Sequence, residues 1–379
     1  MSNAYLDLHV LQTMPPSNVN RDETGSPKTA TYGGVRRARV SSQAWKRAIR
    51  MSFEESLDSS KIGVRSKRLV EKISDKIASL APDLKERSED LASAVLGAAD
   101  IKIEKPRRST KKDSDDSDAA VAESGYLIFL SNLQIDNLAD YAIQTERAGQ
   151  KPIKKEVTAI AKRDHSFDIA LFGRMVADIV DLRVDAAAQV AHAISVHAVE
   201  NEFDYFTAVD DNSAGDHAGA GMIGTVEFNS STLYRYATVN LAKLAEHLGD
   251  PQATTHALEA FIRAFVTSLP TGKQNTFANR TLPHAVVATL RTDQPVNLVG
   301  AFETSIEATR DDPRLTLAAE AFVQHAKQLE SAFNAPPAAT WVLTASEQVA
   351  PLTALGEHVD LNTLVAAVSR ATAELQAIA

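Results

Sequence analysis

The chain has 379 residues, 44% of them hydrophobic and 23% charged, with 49 acidic against 40 basic side chains and a formal net charge of −9. This is the balance of a folded chain of two or three domains, not of a disordered one, and the acidic excess argues against indiscriminate binding to polyanions. With no cysteine, disulfides, iron–sulfur clusters, thiolate zinc sites and a cysteine nucleophile are excluded.

Residues 4–11 alternate as a half-buried strand does. The segment 13–34 carries Pro15, Pro16, Asn18, Gly25, Pro27, Gly33 and Gly34, which predicts a long loop. A short strand is expected over 35–40, then a helix to about Leu57 capped by Ser41 or Ser42. Residues 61–100 read as helices broken at Pro82. Segment 102–124 places six basic residues before a run of aspartates and has no aromatic, which predicts a mobile loop. A buried strand follows at 126–130, and Ser131 with Gln134 forms a capping-box pattern. Helices are expected over 140–163 and 186–199, then a Gly- and Asp-rich connection over 200–232. Strands at 233–239 and 285–291 flank helices near 241–248 and 253–268 and a polar loop over 270–283. Helices near 301–307, 313–332 and 361–378 close the chain. The pattern is that of an α+β fold.

Enzyme motifs fail on context. Gly219–Gly224 matches the dinucleotide fingerprint in letters, but polar loop precedes it and an alternating run follows, where a strand and a helix are required. Thr271–Gln274 lacks the first glycine and the magnesium-binding hydroxyl of a phosphate loop. His192 and His197, five apart on the expected helix, cannot share a metal on one face. No cofactor is expected. The absence of cysteine fits a cytoplasmic protein, the start of the chain has neither the basic leader nor the apolar core expected of a secretory signal, and no apolar run suggests a membrane partner.

Three features point to nucleic acid. Residues 24–53 contain Lys28, Arg36, Arg37, Arg39, Lys46, Arg47 and Arg50 without one acidic residue. On the helix that follows, Gln43, Lys46, Arg47 and Arg50 fall opposite Trp45, Ala48, Ile49 and Phe53, so cations point outward from a packed face. Phe203, Tyr205 and Phe206 precede the glycine-rich stretch, where exposed rings could stack on bases. Gly272-Lys-Gln-Asn275 adds a close-approach glycine and polar donors.

Several stretches then carry a family resemblance: His9–Leu11, Asn20-Arg-Asp22, Gly33–Gln43 with Lys46-Arg47 and Arg50, Asp168–Met175, Val190–Ala193, Tyr205–Asp211 and Leu233–Tyr236. In this order, over about residues 5–295, they resemble the backbone subunit of the type I-E CRISPR surveillance complex Cascade, the CasC or Cas-seven family. The resemblance implies an RRM/ferredoxin-like palm (1–60, a helix at 181–199, and 233–379 with the C-terminal helices). A helical fingers insertion would occupy 61–180 and a thumb β-hairpin 200–232.

It also implies that several copies assemble head-to-tail along a guide crRNA beside other Cascade subunits. The guide would pair with target DNA in segments, and a separate recruited nuclease-helicase would do the cutting. Arg21, Lys28, Gln43, Lys46, Arg47 and Arg50 would hold the guide, with Met175 beside the bases and Lys273 and Gln274 as further contacts. Phe206, Thr207 and Val209 would lie on the thumb and displace a base. No catalytic residue or metal is implied. The alternative is a metal-dependent ribonuclease of related fold, because RNA-targeting relatives cut target RNA with a loop aspartate and Asp22 lies in a comparable loop.

Overall fold

The structure, a computed structural model, describes residues 4–104, 122–176, 179–208 and 222–378. The chain divides into two units, one of Met1–Ser52, Ala188–Ala242 and Thr255–Ala379, the other of Phe53–Ala187 and Lys243–Thr254. The fold is mixed α+β. Among the described residues no helix is long and apolar enough to cross a membrane.

The first unit is built on a ten-stranded mixed sheet. Its strands are β1 (Tyr5–Ser17), β2 (Thr29–Tyr32), β3 (Val35–Val40), β4 (Ala188–Val190), β5 (Ala193–Ser195), β6 (Glu202–Ala208), β7 (Met222–Asn240), β8 (Ala285–Arg291), β9 (Ala339–Thr344) and β10 (Glu357–His358). The order is β10-β9-β8-β1-β7-β5-β3-β2, with β4 and β6 also pairing with β7. Only the β9–β10 pair is parallel among the described residues.

β1 lies between β7 and β8. Its Leu6, Leu8 and Val10 turn to one face and Asp7, His9 and Leu11 to the other, and all six are buried. The half-buried strand expected from sequence is therefore covered on both sides. The strand also continues into the expected loop, through Pro15 and Pro16. Proline cannot donate to a ladder, and the β1–β7 register slips between Met14 and Ser17.

The rest of the expected 13–34 loop is a tight turn followed by the β2–β3 hairpin. Gly33 at that hairpin has φ +57, and a Cβ there would stand 1.7 Å from the Glu303 carbonyl oxygen. Only glycine fits.

The two faces of the sheet are packed differently. Below His9 and Leu11 lie Tyr234, Tyr236, Val287, Phe302 and Phe322, a core closed by the helix Arg314–Phe333. On the opposite face the helix α1 (Ser42–Ser56) brings Trp45 over the Arg235 guanidinium, with Phe265 also beside it.

The second unit gathers the helices Leu69–Leu80, Ser88–Ala98, Asn132–Arg147 and Lys154–Lys162 around Ile73, Ile77, Val95, Leu138 and Ile160. The first of these helices ends before Pro82, as expected. The capping box forms as well: the Gln134 amide donates to Ser131 Oγ at 2.9 Å and the Ser131 amide to Gln134 Oε1 at 3.0 Å. Segment 102–124 closes on a short ladder between Ile103–Glu104 and Glu123–Ser124, and the expected mobility of its middle, 105–121, lies outside the described residues.

Several expectations are corrected. Residues 186–199 form β4 and β5 instead of a helix, because their alanines and valines supply a buried strand pair beside β7. A strand, Gly63–Ser66, opens the stretch expected to be helical from 61. Helix is expected through 140–163, yet it breaks at Gly149, where φ is +65. The helix expected near 301–307 is a single short turn, Leu298–Phe302. β9 was not expected. The glycine run leads into a strand at Met222, so no helix stands where a dinucleotide would need one.

Candidate nucleic-acid interface

Arg21 and Lys28 lie on the turn between β1 and β2, and Gln43, Lys46, Arg47 and Arg50 lie on α1, whose start is joined to that turn. The turn is closed by a bridge between Arg21 and Pro27 and by the Asp22 amide donating to the Ser26 carbonyl at 3.0 Å. Gly25 takes φ +90 within it. Asn20 joins turn and helix, because its carbonyl accepts the Lys28 amide at 2.9 Å and its Oδ1 accepts the Ser41 amide at 2.8 Å. Ser41 Oγ in turn accepts the Ala44 amide at 3.2 Å and caps α1.

On α1, Trp45, Ala48, Ile49 and Phe53 are buried while Gln43 and Arg47 are exposed and Lys46 and Arg50 half-buried. The wheel drawn from sequence is realised. Burial holds the Lys46 ammonium below the usual lysine value. Arg37 is different. It is fully buried, and its guanidinium donates to the carbonyls of Tyr32, Ser195, Phe302 and Glu303. A basic residue counted in the cluster is therefore a brace for the sheet.

Gly272 brings a second polar turn to the same place. A Cβ on it would stand 2.3 Å from the Val19 carbonyl oxygen, so this turn packs directly on the end of the first. Lys273 (φ +52) and the exposed Gln274 follow.

The hairpin β6–β7 is fastened to the first turn through Glu227. Ser26 Oγ donates to Glu227 Oε1 at 2.8 Å, Asn201 Nδ2 to Oε2 at 3.0 Å, and Asn18 Nδ2 to the Glu227 carbonyl at 2.9 Å. In the hairpin register Phe203 faces Glu227 and Tyr205 faces Thr225. Phe203 and Tyr205 therefore share the hairpin face that holds the basic turn, and they are 67% and 63% exposed. Phe206 pairs with Gly224 and points to the other face, its ring covering the glycine. Thr207 is exposed. Val209 lies outside the described residues.

Met175 belongs to the second unit and is 85% exposed. It is presented by its neighbour Arg174, which is buried and donates to the carbonyls of Leu182 at 2.6 Å and Ala161 at 2.8 Å.

Asp22 is a turn residue in this geometry. Its Oδ1 accepts the Thr24 amide at 2.9 Å, the Thr24 hydroxyl at 2.7 Å and the Ser26 amide at 3.1 Å. These bonds, the Thr24 hydroxyl foremost, hold its carboxyl below the usual range. Among the described residues no cluster of three or more His, Asp or Glu could hold a metal ion.

Sequence reasoning missed His192. On the link between β4 and β5, its Nδ1 accepts the Ser42 amide at 3.3 Å and lies 3.2 Å from an Arg39 guanidinium nitrogen. Burial first, then Arg39 and Lys28, push its pKa down. Placing the segment on a helix hid this, since a helix does not carry His192 to the start of α1. His197 is a satisfied core histidine, donating from Nδ1 to the Ala198 carbonyl and accepting the Thr232 amide at Nε2.

Comparison with known proteins bears on the whole chain. The family described as CT1975-like protein matches residues 6–367. A solved chain described as "CRISPR RNA-guided surveillance complex, pre-nicking" is 34% identical, with TM-score 0.78, over 96% of this chain and 99% of that one. A second, described as "CRISPR RNA-guided surveillance complex", is 30% identical, with TM-score 0.70 and the same coverage. No curated protein matches.

Proposed function

The chain belongs to the CT1975-like protein family, and from that premise we propose that it is the crRNA-binding backbone subunit of a type I-E CRISPR surveillance complex. The sheet unit acts as an RRM-like palm, the helical unit as fingers and the β6–β7 hairpin as thumb. Copies assemble head-to-tail along one guide, a heterologous contact that gives an open helical filament. Other Cascade subunits cap it in the cytoplasm.

The observation that carries this reading is the Glu227 bracket. It fixes a turn bearing Arg21 and Lys28 to the base of an aromatic hairpin. Cations that hold phosphates and rings that meet bases are thereby set at one place, which is the combination single-strand binding requires. The division of labour follows. The protein holds backbone and shape, and base pairing between guide and target DNA reads sequence. Phe206, Thr207 and Val209 displace a base at the thumb, so pairing proceeds in interrupted segments. The subunit itself is non-catalytic, and cleavage belongs to a separate recruited nuclease-helicase.

Co-expression with a guide tests the reading. The purified protein should carry RNA of defined length, visible as a raised 260/280 nm absorbance ratio and as bound RNA after nuclease digestion. Protein recovered free of RNA under these conditions would overturn the proposal.

A further inference from the structure

On the face of the sheet opposite Trp45, a cavity of about 140 Å³ opens between β1, β8 and the helix Arg314–Phe333. Val287, Phe322 and Ala326 wall its inner part, Asp7 and His9 form its floor, and Phe333, 75% exposed, stands at its mouth.

The two floor residues differ. Asp7 is fully engaged, since the Tyr236 hydroxyl donates to Oδ1 at 2.9 Å and the Val296 amide to Oδ2 at 2.8 Å. His9 is engaged on one side. The Tyr234 hydroxyl donates to Asn297 Oδ1 at 3.1 Å and accepts the Leu298 amide at 3.2 Å. The proton between Tyr234 and His9 Nδ1, 2.9 Å apart, therefore sits on Nδ1. Nε2 carries the lone pair, and among the described residues no hydrogen bond reaches it. Burial, with the Arg291 charge, lowers the His9 pKa to about 3, so the ring is a neutral acceptor.

Size and polarity define what fits. An apolar cavity of about 150 Å³ admits benzene. An anionic ligand would lose its hydration here beside the Asp7 and Glu330 carboxyls without a free positive counter-charge, because Arg291 is already paired with Asp293 at 2.9 Å. A single ring fills the carbon-lined part, and one hydroxyl supplies the donor that Nε2 lacks.

We propose that this cavity is a binding site for a neutral single-ring phenol, its ring against Val287, Phe322 and Ala326 and its hydroxyl donating to His9 Nε2. The site is distinct from the cationic turn and does not depend on the RNA-binding reading.

Thermal unfolding of the full chain with phenol, benzene or benzoate tests it. Phenol should raise Tm saturably, with a Kd about tenfold below that of benzene for the one added hydrogen bond, and benzoate should have no effect. Ala326→Leu should abolish the phenol response by filling the space. Should that variant fail to fold, nuclear Overhauser contacts from phenol to the Val287 and Ala326 methyls in the unmodified chain decide instead. The proposal is overturned by any of four results: no saturable response, equal affinity for phenol and benzene, an undiminished response in Ala326→Leu, or absent methyl contacts.

Discussion

The Arg235 guanidinium lies over the Trp45 indole, 3.7 Å from the ring centroid. Arg235 projects from β7, and its Nη1 donates to Gln12 Oε1 at 2.6 Å. Trp45 projects from α1, and among the described residues its indole nitrogen has no hydrogen-bond partner. The pair therefore holds α1 against the sheet by packing and cation–π attraction. It also decides which face of α1 is left for Gln43, Lys46, Arg47 and Arg50.

Trp45→Ala should cost about 3–5 kcal/mol, the usual range for truncating a buried aromatic, read from urea unfolding. Trp45→Phe keeps a ring and removes an unpartnered N–H, and should cost clearly less. Equal losses for the two would argue against the packing account.

Lys28→Ala with Arg47→Ala should weaken RNA binding across sequences and flatten its salt dependence. Each lost phosphate contact on a single strand reduces the slope of log K against log salt by about 0.7. Affinities measured at several salt concentrations check this, and an unchanged slope would remove both residues from the RNA path.

Asp22→Ala should release the turn, because three hydrogen bonds converge on one oxygen. We expect faster proteolysis within 20–28 and weaker RNA binding. Target RNA incubated with the guide-loaded protein and divalent metal should stay intact with either residue at position 22. Regular cuts lost in the variant would favour the ribonuclease alternative.

Acid should destabilise the sheet unit through His9. Its folded pKa, about 3, is below the ordinary 6.5, so the unfolded chain takes up a proton first as pH falls. Stability is full above 6.5 and declines toward 3, with up to about a tenfold change in the folded-to-unfolded ratio per pH unit. His9→Gln should flatten that dependence in urea titrations between pH 6.5 and 4, even if it lowers stability at pH 7.

Gly224→Val should displace the Phe206 ring, since a Cβ at 224 would stand 2.5 Å from it. Unfolding midpoints should barely move, because hairpin and ring are exposed. Guide-dependent assembly, followed by size-exclusion chromatography, should be impaired. Normal assembly would separate the ring's position from its proposed role.

Local features could be read along the chain, because they depend on near neighbours in it. The break at Pro82, the capping box of Ser131 and Gln134, the failure of the glycine fingerprint and the amphipathic split of α1 all follow from spacing. Tertiary structure decided which cations are free to act. Arg37 and Arg47 read alike in sequence, yet one is buried among four carbonyls and the other stands in solvent. It also decided the long-range partners of Asn20, Glu227 and His192, whose side-chain-mediated hydrogen bonds join segments from 21 to 209 residues apart. Such contacts arise only when the sheet brings β3, β5 and β7 side by side, and no periodicity along the chain encodes them.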